Sequence, residues 1–202
     1  MQQGFFKRLF AVLFVLSFVR ATPSLAQTEY ISDYLTGEIA QLEPVHGDVN
    51  FHDIMLVSAF DKNGKTIERL GDKKGKTLLL TLWHWDCLQC RRHMKQLAEV
   101  QENLGTDVLE VIAVNMDRTL FSRVRKTLDQ RGLQSLVAYQ DFNKNIPARL
   151  RNDPELPRPF GNEPRTLIIG PDGRVRAVAN TRKDWNAPEA IAFLKALSAG
   201  KF

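Results

Sequence analysis

The apolar and polar positions mark out a hairpin, an alternation of strands and helices, and an irregular stretch before a closing hairpin and helix. Over residues 27–50, Ile31, Tyr34, Leu35, Ile39 and Leu42 fit a helical stripe that Pro44 and Gly47 end. Residues 54–60 and 66–70 form two short strands, and Asp61-Lys62-Asn63-Gly64 between them offers the positive φ of a tight turn. Residues 78–83 are almost continuously apolar, the mark of a strand covered on both faces. Cys87-Leu88-Gln89-Cys90 follows, and then Met94, Leu97, Ala98 and Leu104 recur at helical spacing up to Gly105. Residues 108–114 predict a second buried strand, and 119–131 a polar-faced helix ended by Gly132. This strand–helix–strand–helix order implies a parallel sheet with helices packed on it.

Residues 139–165 change character. They hold five of the nine prolines, accompanied by Arg149, Arg151, Arg158 and Arg165, and predict a short helix over 143–150 followed by an extended loop. A hairpin over 166–179, turning at Gly170-Pro171-Asp172-Gly173, precedes a last helix over 188–198, with Pro188 at its start and Gly200 beyond its end.

Composition narrows the class. The chain has 202 residues, 44% hydrophobic and 25% charged, which excludes global disorder, collagen and a multi-span membrane protein. The net charge of +5 draws on Lys7, Arg8 and Arg20 in a first segment that holds no acid; without them 25 basic side chains face 23 acidic ones. No nucleic-acid partner is expected, because phosphate binding needs a concentrated basic face. That first segment has the pattern of a secretory signal peptide: a basic start, an apolar run over 9–19, and Ser24-Leu25-Ala26, with cleavage after Ala26. The run is shorter than the about 20 residues of a spanning helix, so membrane contact is expected only through this segment if it stays uncleaved. The expected division is 1–26 signal peptide, 27–50 N-terminal extension and 51–202 folded domain, located in the periplasm or another extracytoplasmic space, where disulfides form.

Cys87 and Cys90 are the two cysteines of the chain. A bond across so small a loop stabilises less than the about 3 kcal/mol of a 15-residue loop, so the pair needs a reason other than stapling. Cys87 falls where a buried strand meets a helix N-terminus, whose dipole and unpaired N–H groups favour a thiolate. Cys90 lies one turn along, placed to attack a mixed disulfide on Cys87. The pair therefore supports thiol–disulfide exchange, with Cys87 attacking and Cys90 resolving. The alternative is a metal carrier that joins the pair to His84 and His93, although these two need not converge on one ion.

The run from Gly75-Lys76 through Leu82-Trp83 to Cys87–Cys90 and Arg91 resembles the thioredoxin-like superfamily, in its extracytoplasmic TlpA-, ResA- and CcmG-type branch. Asp61–Lys65 with Asp72–Lys76, Pro164-Arg165-Thr166-Leu167-Ile168-Ile169 and Pro171-Asp172-Gly173-Arg174 are similar to further segments of that branch. The resemblance covers about residues 50–200. It implies an α/β thioredoxin-like fold, a central mixed β-sheet flanked by helices with an N-terminal β-hairpin extension. It also implies a secreted thiol:disulfide oxidoreductase that reduces disulfides of envelope proteins, for example in cytochrome c or copper-centre maturation, and is recharged by an upstream redox partner protein. A disulfide oxidase or isomerase of the same fold is the nearest alternative. A peroxidase of the peroxiredoxin type is disfavoured, because residues 79–87 hold no proline. No cofactor and no bound metal are implied.

The resemblance makes Pro164 a cis proline beside the cysteines, which leaves the backbone of Glu163 free to bind an extended substrate; Trp85 is assigned to substrate binding with them. Departures from the family pattern are Gln89 in place of proline before the second cysteine, Asp86 in place of tryptophan before the first, Thr81 in place of a buried acid, and Lys95 in place of a helix-kinking proline. Asp86 opposes a thiolate on Cys87. Where the branch tends to have glutamate, this chain has His93, a neutral imidazole expected to take the Cys90 proton near neutral pH.

Overall fold

Strand β4 (Thr77–Trp83) organises the structure, a computed structural model that describes residues 30–59, 66–141, 143–158 and 164–202. Around it lie β1 (Glu43–Pro44), β2 (Met55–Ala59), β3 (Thr66–Arg69), β5 (Leu109–Asn115), β6 (Ala138–Gln140), β7 (Arg165–Ile169) and β8 (Val175–Ala179). The helices are α1 (Leu88–Leu104), α2 (Phe121–Gln130), α3 (Asn145–Asn152) and α4 (Pro188–Ser198). One sheet runs in the order β1-β8-β7-β4-β5-β6-β2-β3. Within it β4, β5 and β6 are parallel, and every other pairing is antiparallel. The sheet is thus mixed, as expected of a thioredoxin-like fold, and its parallel part is the one that the strand–helix alternation over 76–132 implied.

Alternate side chains of β4 serve two cores, as the period of a strand requires. Leu79 and Trp83 face Met94 and Leu97 of α1, Val124 and Leu128 of α2, and Phe193 and Leu194 of α4. Leu78 and Leu80 face Ile146 and Leu150 of α3, with Phe51, Ile54 and Leu56. Because both faces are covered, the apolar run has no polar side.

The expected hairpin forms, β2 against β3, and docks on the sheet through β2 and β6; its turn lies outside the described residues, as does the segment read as a signal peptide. Strand β6 was not expected, being three residues long. The helix expected over 31–42 does not form. Two 3₁₀ turns, Ile31–Tyr34 and Gly37–Ile39, replace it, separated where Thr36 is extended and Gly37 takes φ +53°. Pro44 then sits in a two-residue strand at the sheet edge, where a missing N–H is tolerated. Ile39 and Leu42 are buried in the core that α4 also closes, and the Glu38 N–H donates to Glu189 Oε1 at 2.8 Å.

Residues 30–45 are therefore packed structure. Ile39→Ala is expected to cost about 2–5 kcal/mol, the range of a buried truncation; urea denaturation of the variant checks this, and a loss below about 0.5 kcal/mol would mark the arm as detachable.

Candidate functional site

The sheet brings three chain segments to one end. Strands β4 and β5 run parallel in a register that sets Trp83 opposite Asn115, so the loops after both strands emerge together. Strand β7 runs antiparallel to β4 and sets Arg165 opposite Leu82, so its first residue, preceded by Pro164, arrives at the same end.

There Cys87 caps α1. Its Sγ accepts the backbone N–H of Cys90 at 3.0 Å, which satisfies one of the donors that a helix start leaves unpaired. Cys87 and Cys90 are joined as a disulfide. They are not equivalent: Cys90 is fully buried, whereas Cys87 is 9% exposed and borders a cavity of about 270 Å³ with His84, Asp86 and Asp117. Leu88 between them is 80% exposed. Helix α1 runs on through Lys95 without interruption. Asp86 is exposed to solvent, where screening weakens its opposition to a thiolate.

His93 lies one turn beyond Cys90 on the buried face of α1. Its Nε2 meets Thr166 Oγ1 at 2.9 Å and Thr81 Oγ1 at 3.2 Å. Thr81 Oγ1 donates to the carbonyl of Arg165, and Thr166 Oγ1 donates to Thr81, so both hydroxyl protons are spent. Nε2 must then carry the imidazole proton and donate to Thr166, which leaves Nδ1 bare, buried and without a partner. Burial, seconded by the charge of Arg182, pushes the His93 pKa down from 6.5 to about 3. With no carboxylate beside it, the charged form lacks compensation, so the imidazole is held neutral.

Trp85 is half-buried and meets Trp83 edge to face at 6.1 Å between centroids. The Arg131 guanidinium lies over both rings, 5.8 Å from Trp83 and 5.7 Å from Trp85, and donates to the Trp85 carbonyl at 3.3 Å. One side of Trp85 is thus already occupied by protein. Pro164 is buried directly before β7, while Glu163 and the peptide bond it shares with Pro164 lie outside the described residues. His84 and His93 do not meet: one borders the open cavity, the other is bonded inside the core. Among the described residues no group of three or more His, Cys, Asp or Glu is placed to hold a metal ion.

Sequence reasoning missed Thr166, Arg131 and Asp117. All three come from elements remote in the chain; Thr166 stands in the Pro164–Ile169 segment without a role assigned to it, and no local motif marks Arg131 or Asp117.

Residues 51–178 match the model of the AhpC/TSA family. The chain belongs to that family. Solved structures with the same fold include an exposed lipoprotein thioredoxin from Streptococcus pneumoniae, at 21% identity and TM-score 0.55, covering 72% of this chain and 99% of that one. A protein from Chlorobium tepidum described as a thiol:disulfide interchange protein DsbE matches at 20% identity and TM-score 0.53, over 76% of this chain and 99% of its own. A thiol:disulfide interchange protein of the thioredoxin family from the same organism matches at 14% and 0.55, over 75% and 99%. At these identities the likeness is one of fold. For this AhpC/TSA member it agrees with the TlpA-, ResA- and CcmG-type resemblance.

The buried imidazole carries a pH signature. Below about pH 6.5 the unfolded chain binds a proton at His93 that the folded chain does not, so stability falls as pH falls towards 3. Between pH 6.5 and 5 the loss from this group is about 1–2 kcal/mol. Denaturant midpoints at the two pH values check it, and His93→Gln is expected to flatten the difference.

Proposed function

We propose that this protein, a thioredoxin-like thiol:disulfide oxidoreductase, works outside the cytoplasm on cysteines of envelope proteins, in the reducing direction. Cys87 is the attacking thiol and Cys90 the resolving one. The observation that carries this is the asymmetry of the pair: the sulfur that caps the helix is the one that borders the cavity, and its partner is sealed in the core. In the reduced state the Cys90 N–H and the start of α1 favour a thiolate on Cys87.

The thiolate attacks a substrate disulfide. A bond forms between Cys87 Sγ and one substrate sulfur, the substrate S–S bond breaks, and the other sulfur leaves as a thiolate that takes up a proton. Cys90 then attacks Cys87 Sγ, forms the internal disulfide and releases the second substrate thiol; two electrons pass to the substrate. An upstream redox partner protein restores the dithiol. Pro164 and Glu163 offer backbone to an extended substrate, and Trp85 adds an apolar flank. His93 supports the buried thiol as a neutral group, its bare Nδ1 able to take the Cys90 proton in passing but not to hold it. The segment 1–26 directs export, which the exposed lipoprotein among the similar structures supports. No helix among the described residues is long and apolar enough to cross a membrane. Maturation of cytochrome c or of copper centres is the setting that the family resemblance favours.

A second reading, an oxidase, draws on one observation: on the buried side of the pair Thr81 and His93 put no negative charge, leaving only Asp86 and Asp117 on the open side, and a thiolate less opposed makes a dithiol more oxidising. The reduction potential separates the two. Equilibration against dithiothreitol or glutathione buffers is expected to give a value near thioredoxin's, about −270 mV, whereas one near −120 mV would reverse the direction. Incubated with glutathione disulfide, Cys90→Ala is expected to accumulate a mixed disulfide on Cys87 and Cys87→Ser none; intact-mass spectrometry reads both, and equal trapping would overturn the assignment of attacking and resolving thiols.

A further inference from the structure

We propose that His84 and Asp117 form an imidazole–carboxylate pair that moves the proton of the outer thiol, Cys87; this rests on the exchange reading above. Asp117 follows β5 and is held firmly in place. Its Oδ2 accepts the Trp85 N–H and the Asn115 side-chain N–H, each at 2.9 Å, and its own N–H donates to Asn115 Oδ1 at 3.2 Å. One carboxylate oxygen is thereby committed, and the other, Oδ1, faces His84 Nδ1 at 3.5 Å.

A carboxylate on Nδ1 draws the ring proton to that nitrogen and leaves Nε2 as the exchanging atom. His84, Asp86, Cys87 and Asp117 line one cavity, so the imidazole and the outer sulfur border the same space. The His84 side chain is 43% exposed, whereas His93 is sealed in the core. The charged groups at this end are Asp117 from the loop after β5, Asp86 from the loop of His84, Arg131 beyond the C-terminal end of α2, bonded to the Trp85 carbonyl, and Arg91 in the first turn of α1; burial, seconded by the charge of Arg91, lowers the Arg131 pKa.

The steps balance. The Cys87 thiol gives its proton to His84 Nε2, leaving a thiolate beside an imidazolium. The thiolate attacks the substrate disulfide, the Cys87–substrate bond forms, the substrate S–S bond breaks, and the departing sulfur takes the proton back from Nε2. His84 ends as it began, and Asp117 acts only by orienting it. The site thus divides the work between His93, neutral beside the buried sulfur, and His84, cycling its proton at the outer sulfur.

The test is the rate of Cys87 alkylation by iodoacetamide as a function of pH, in reduced full-length protein, with Cys87 resolved by peptide mass spectrometry. His84→Gln alters an exposed side chain. It is expected to remove the imidazole step from the profile and to move thiolate formation up by about one pH unit, some tenfold slower alkylation below the midpoint. Asp117→Asn is expected to shift the profile the same way by less. A His84→Gln profile that overlays that of the unaltered protein overturns the proposal. The two-electron couple measured on the same samples tests the exchange reading separately: its absence from both proteins would end that reading, whereas a shifted profile would still establish the His84 pair.

Discussion

The site hangs on the end of β4. This strand is hydrogen-bonded to β5 on one side and β7 on the other, and it is buried on both faces. Its last residue, Trp83, is fully buried, so the chain leaves the sheet at one fixed point and begins α1 at another only a few residues on. The cysteine at that junction inherits its place from the most constrained segment of the protein. Parallel pairing with β5 brings Asp117 to the same level, and antiparallel pairing with β7 brings Pro164. None of these residues needs a flexible loop to reach the cysteines.

Much of this was legible from residue order. The continuous apolar run of β4, the cysteine pair behind it, the period of α1 and the Pro-to-Gly frame of α4 each carry a local signal, and each stands where that signal put it. The arm over 31–44 did not, for a definite reason. Ile39 and Leu42 are buried in the core that α4 closes, with Ile31, Tyr34 and Leu35 packed against it half-buried, and such packing from outside produces a helical spacing without a helix. The sense of β7 was equally hidden, since it depends on how the chain returns after α3 and not on residues 165–169 themselves.

At the site the division is sharper. The residue type at His93 was visible, but its chemistry was not. Whether an imidazole titrates near neutrality depends on what surrounds it, and here the surroundings are two threonines from β4 and β7. Thr166 is 73 residues away in the chain. Its hydroxyl proton is committed to Thr81, which decides which nitrogen of His93 is protonated. Asp117 likewise has no motif of its own; it matters because β5 happens to end beside His84.

The two margins of the sheet carry a consequence of their own. At one end, β1 is two residues long and contains Pro44, which has no N–H to offer an incoming strand. At the other, β3 is four residues long, and its Glu68 is tied to Lys73 at 2.8 Å. Neither margin makes a good template for strand addition, so the sheet is guarded against growth into a fibre or a dimer through its sides.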